Sequence, residues 1–141
     1  MSDSQPEHRF ATLRAPSPDD IEALAEAAFA QLPASFRRLC EGLVIQVVDF
    51  PDEETLEEMD AQSEFDLLGL FRGRGLPGRP AVEETGAMPN MIWLYRRPLL
   101  DFWCEGEDSL GAVVSHVLVH EIGHHFGLSD ADMEAIEAAA G

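Results

Sequence analysis

His120, Glu121 and His124 follow the spacing His-Glu-x-x-His, by which a single helix offers a divalent metal two imidazoles with a carboxylate beside them. Residues four apart on an α-helix are separated by about 40° around the axis and roughly one turn along it, so His120 and His124 converge on one ion. Asp130, shortly after the motif, is the candidate third ligand. Two imidazoles and a carboxylate give Zn2+ three protein ligands and leave a fourth position open, which is the arrangement of a catalytic site. Zinc so held activates water, and Glu121 takes the water's proton and returns it to the leaving amine, which cleaves a peptide bond.

Neighbouring residues have competing roles. Residues 129–140 read as the start of another helix, where Ser129 or Asp130 can cap by accepting backbone N–H bonds. Ser129 is the expected cap, which leaves Asp130 to face the metal. His116 lies one turn before His120 on the same stripe, but too far along the axis to complete the same coordination sphere; a packed position, or one supporting a ligand from outside that sphere, is expected for it. His125 is about 100° around the helix from His124 and cannot join the pair. Met133 is expected to pack rather than to underlie the metal.

These side chains need a helix to carry them. Residues 109–119 contain no proline and place apolar side chains nearly all round, as in a helix buried on most sides, so an active helix is predicted over about 108–126. Gly127 is placed to take φ > 0 and end it. Upstream, Ser17 caps a helix with Pro18 in its first turn, running to about Gln31, and residues 34–40 form a second short helical stretch. Residues 43–50, rich in β-branched types, make the clearest strand, and their apolar run predicts an interior one. Two more strands are expected at 67–72 and 91–95, joined by a glycine- and proline-rich loop. Residues 52–66 hold eight acids and no base, a solvated face with a helix near 54–59. Arg97-Pro98 marks a break before a short helix at 99–104, with Phe102 and Trp103 packing inward.

The run His120-Glu-Ile-Gly-His-His-Phe-Gly-Leu-Ser-Asp130 resembles the extended HExxHxxGxxD signature of the small bacterial zincin-like metallopeptidase-domain proteins. The resemblance extends to residues 67–73, to 92–99 and to the N-terminal helix ending near Leu32-Pro33, and covers roughly residues 17–140. It implies an α+β minimal zincin fold, a small mixed or antiparallel sheet packed on helices, with His120, His124 and Asp130 on the metal and Glu121 as base. By the same resemblance residues 67–95 wall a cleft in which substrate lies extended along a strand edge. Tyr95 is a candidate substrate contact, alone or with Arg96 and Arg97. The alternative is a strand end whose arginines pair with the abundant acids.

Length and composition suit a single domain at 17–141 behind a flexible lead-in at 1–16. The net charge of −18, from 27 acids against nine arginines, repels phosphate backbones and anionic lipids, so neither nucleic acid nor membrane is an expected partner. The first residues lack the basic start and apolar centre of a secretory signal, which predicts a cytoplasmic protein. Cys40 and Cys104 have no metal-site spacing and are expected reduced and packed. Three functional classes stand: a zinc-dependent peptide-bond hydrolase acting on a peptide or protein, a non-catalytic zinc-binding module that recognises a peptide or partner, and a domain whose zinc is purely structural.

Overall fold

The computed structural model describes residues 6–73 and 89–140. The glycine- and proline-rich loop expected between the second and third strands falls almost wholly at 74–88, outside the described residues. Among those described, seven α-helices and one 3₁₀ turn surround a three-stranded sheet: α1 (Pro6–Ala11), α2 (Pro18–Ala30), α3 (Ala34–Arg37), the 3₁₀ turn Arg38–Cys40, β1 (Val44–Val48), α4 (Glu53–Glu58), β2 (Gly69–Arg72), β3 (Met91–Tyr95), α5 (Arg96–Glu105), α6 (Leu110–His125) and α7 (Asp130–Ala140). This is the α+β architecture expected of a minimal zincin-like domain.

β3 is the central strand, paired in parallel with β1 and antiparallel with β2. Alternation along the strands sorts their side chains. Ile92 and Leu94 of β3 sit level with Ile45 and Val47 of β1 and with Phe71 and Gly69 of β2, and this face packs on the helices. Leu70, Trp93 and Val48 line the opposite face. β1 therefore corrects one expectation. Among the described residues it is an edge strand, not an interior one, and Val44 and Val48 are exposed. An apolar run reports β propensity as well as burial, and here only every second residue meets the core.

Ile21 and Ala25 of α2, Leu99 of α5, Val114, Leu118 and Ile122 of α6 and Met133 of α7 complete the core, each without exposed surface. Burying such a large aliphatic side chain contributes roughly 1.5–3 kcal/mol. Ser17 caps α2 through a full capping box, its hydroxyl accepting from the Asp20 N–H at 3.0 Å while the Asp20 carboxylate accepts from the Ser17 N–H at 2.8 Å. Arg96 ties the start of that helix to the end of β1: its Nε donates to the Pro16 carbonyl at 2.6 Å and its Nη1 pairs with Asp49 at 3.0 Å.

Arg97-Pro98 does not break the chain. α5 begins at Arg96 and takes Pro98 into its first turn, where the missing N–H would have had no intrahelical partner. Trp103 packs partly against the core, but Phe102 is half exposed, since the two are neighbours on a helix and cannot share a face. Both cysteines are free; Cys40 is buried as expected, whereas Cys104 on the outer side of α5 is exposed. No helix among the described residues is long and apolar enough to cross a membrane.

Candidate metal centre

α6 carries the His-Glu-x-x-His spacing as a helix buried on most sides. Ser109 caps its start by accepting from the Ala112 N–H at 3.1 Å. Val113, Val114, Val117, Leu118, Val119, Ile122 and Gly123 are buried, which leaves His116, His120 and His124 as a stripe along the remaining side. The helix ends where the sequence places its stop. Gly127 has φ +76°, the Gly127 N–H donates to the His124 carbonyl and the Leu128 N–H to the Gly123 carbonyl, which together form a Schellman turn.

That turn folds α7 back against α6. Ser129 caps α7, accepting from the Asp132 N–H at 3.0 Å, while Asp132 accepts from the Ser129 N–H at 3.2 Å. Asp130 is thereby relieved of capping and stands exposed as the first residue of the helix. Gly123 sets the closeness of the two helices: a Cβ there would come within 2.5 Å of the buried Met133 Sδ. Met133 thus packs, as expected.

The His120 and His124 rings lie 5.7 Å apart, centroid to centroid, at 82°. His116 comes closer, stacked on His120 at 3.9 Å and 29°. His116 Nδ1 is 2.9 Å, and His120 Nε2 3.6 Å, from Oε2 of Glu137 on α7. The hydrogen-bonding contact of His116 is to the other oxygen, Oε1, at 3.4 Å, while the buried Oε2 makes ion-pair approaches to the two imidazoles and no hydrogen bond. Donor atoms of His116, His120 and Glu137 all lie within 4.8 Å of one another, a group that His124 and Asp130 do not join. Glu137 was not singled out by the sequence reading. It lies seven residues after Asp130, two turns along the same face of α7, and that periodicity is the signal that marks it.

The electrostatics favour metal ligation and proton transfer. Burial, followed by the neighbouring His116, lowers the pKa of His120, so its imidazole is held neutral and able to ligate; Glu137 and Asp130 oppose this more weakly. Glu121, half-buried beside the stripe, has its carboxyl pushed up to about 7 by burial. Tyr95 is buried with its phenol raised to about 12, by burial first and then by the charge of Asp52, with Glu121 a smaller contributor. It lines a cavity of about 390 Å³ with Val48, Phe50, Leu70 and Trp93. Arg96 is occupied by Asp49 and Pro16, and the Arg97 guanidinium lies 5.4 Å from the Phe50 ring, so both serve the strand end.

Among the described residues β2 is an edge strand of the sheet, and it packs against α6. Val117 of α6 sits so near Gly69 that a Cβ on that residue would come within 3.0 Å of its Cγ1, and Phe71 meets the His125 ring at 4.7 Å.

The chain matches the zincin-like metallopeptidase family over residues 40–140, most of its length. It belongs to that family. A conserved hypothetical protein from Thermus thermophilus shares the fold, with a TM-score of 0.51 at 22% identity over 77% of this chain and 92% of the other. No curated protein matches the sequence. Membership of this zincin-like family implies a metal, usually zinc, and the residues present fit one: imidazole nitrogens and carboxylate oxygens are zinc donors, His120 is held neutral, and donor atoms of both kinds converge beside the histidine stripe.

Proposed function

We propose that this zincin-like protein is a zinc-dependent peptide-bond hydrolase, with His120, His124 and Asp130 holding the metal and Glu121 as general base. The observation that carries the reading is the placement of Glu121: a half-buried carboxyl on the same helical turn as two imidazoles of the metal motif, which burial pushes up to about 7 in the metal-free chain. A carboxyl titrating there is poised both to take a proton and to give it back at neutral pH, which a general acid–base needs. Bound zinc would polarise the scissile carbonyl and acidify water at the site. Glu121 then holds the proton at its carboxylate and delivers it to the leaving amine.

Among the described residues β2 lies at the edge of the sheet, which suits an extended peptide whose main chain bonds to it while its side chains alternate in direction. Charge supports a peptide rather than a nucleic acid. Residues 98–141, which supply the metal helix and its neighbours, contain nine acids and neither lysine nor arginine.

The test is zinc content and hydrolysis of a broad peptide library by wild type and Glu121→Gln. Retained zinc with turnover lowered by about 10²–10⁴-fold is expected, the usual contribution of a general base. Unchanged turnover in the variant would remove Glu121 from the mechanism. Zinc and peptide binding by wild type without turnover would make the protein a non-catalytic recognition module.

A further inference from the structure

His116 and Glu137 are not used by the proposed hydrolytic site, yet with His120 they form a donor group whose ligand atoms lie within 4.8 Å of one another. We propose that His116, His120 and Glu137 make a second divalent-cation position, one turn along α6 from the motif pair, which shares His120 with it. This rests on the reading above that the motif itself binds metal.

Three observations carry it. The donors converge: Glu137 Oε2 lies 2.9 Å from His116 Nδ1 and 3.6 Å from His120 Nε2. Ligand atoms of a tetrahedral zinc site, with bonds of roughly 2.0–2.2 Å, stand about 3.4 Å apart, so these distances bracket the requirement. The carboxylate oxygen at the centre of the group is buried and makes no hydrogen bond beyond its ion-pair approach to the two imidazole nitrogens, so a cation among the three gives it a direct ligand bond. Finally, the donors come from two helices held in register by the Gly127 turn and the Gly123–Met133 contact, so the group is built into the packing. A cavity of about 400 Å³, lined by Gln31, Ala112, Ser115, His116, Glu137 and Ala140, opens beside it and admits a hydrated ion.

His120 presents Nε2 to Glu137 in this arrangement. An ion held there draws His120 away from His124, so the two positions compete.

The test is calorimetric zinc titration of the full chain: wild type, His124→Ala, and His124→Ala combined with Glu137→Gln or with His116→Ala. Circular dichroism checks that each is folded, and both histidines removed are exposed. Wild type and His124→Ala should each bind zinc, and adding either second change should weaken the remaining affinity at least tenfold. If wild type binds zinc and His124→Ala does not, this second position is overturned and the proposed function stands. Equal affinity of the single and double variants also overturns it, since the ion would then be held by other groups. A wild type that binds no zinc removes both readings.

Discussion

Glu121→Gln should stabilise the metal-free protein, and only above acidic pH. Burial moves the Glu121 carboxyl from 4.5 to about 7. At about 1.36 kcal/mol per pKa unit, ionising it in the folded chain costs up to about 3 kcal/mol more than in the unfolded chain. The sign follows from where each state loses the proton. Below pH 4.5 the carboxyl is protonated in both states and there is no penalty. Between 4.5 and 7 the unfolded chain releases its proton while the folded chain retains it, so stability falls progressively; above 7 the full penalty is present. Glutamine carries no charge and escapes it. All other groups titrate alike in the two proteins, so the difference between them isolates Glu121. For a chain of this size roughly 3 kcal/mol corresponds to about 10 °C in Tm. The assay is thermal melting of wild type and variant, stripped of metal and kept in chelator, from about pH 4 to about pH 9. A Tm difference that grows by several degrees across pH 4.5–7 and then levels off is expected. A difference that stays constant with pH would refute the burial argument, and with it the basis for a neutral-range general base.

Ser17→Ala removes the hydroxyl half of the α2 capping box and should cost about 1 kcal/mol in urea unfolding, with the active helix unaltered by circular dichroism. Gly127→Ala forces a side chain into the left-handed region at φ +76° and should cost about 1–2 kcal/mol by the same measurement, while loosening the α6–α7 junction that positions Asp130 and Glu137. Metal chelation should lower Tm by mass action yet leave a cooperative melt, because Ile21, Ile92, Leu118, Ile122 and Met133 form a core without the metal; loss of native circular dichroism at about 25 °C on chelation would show instead that the ion is structural.

Much of the local structure was legible because its causes are local. Ser17 with Pro18, Gly127 and Ser129 are caps or stops whose chemistry acts within a few residues, and each ends or begins a helix as expected. The membership of β1 in the sheet was equally legible, but its place at the edge was not, since edge and centre differ only in a partner supplied by residues far along the chain. Arg97-Pro98 misled because proline forbids a helix interior while fitting a first turn, and the two cannot be told apart without knowing where the helix starts. Phe102 and Cys104 misled for a related reason: composition gives the tendency to be buried, whereas the direction in which α5 faces is set by Leu99 being drawn into the core.

The sequence by itself determined the metal-binding motif, the helix that carries it, the turn that ends that helix and the α+β class, since all of these depend on spacing within one element or on the resemblance borne by the motif. Only the tertiary structure decided which groups from other elements meet the histidine stripe. It brought Glu137 of α7 against His116 and His120, set β2 beside Val117, and buried Glu121 far enough to move its carboxyl to about 7. The reason is physical: helix periodicity fixes the direction of a side chain about its own axis, but the partner it meets and the water it loses are properties of packing between elements.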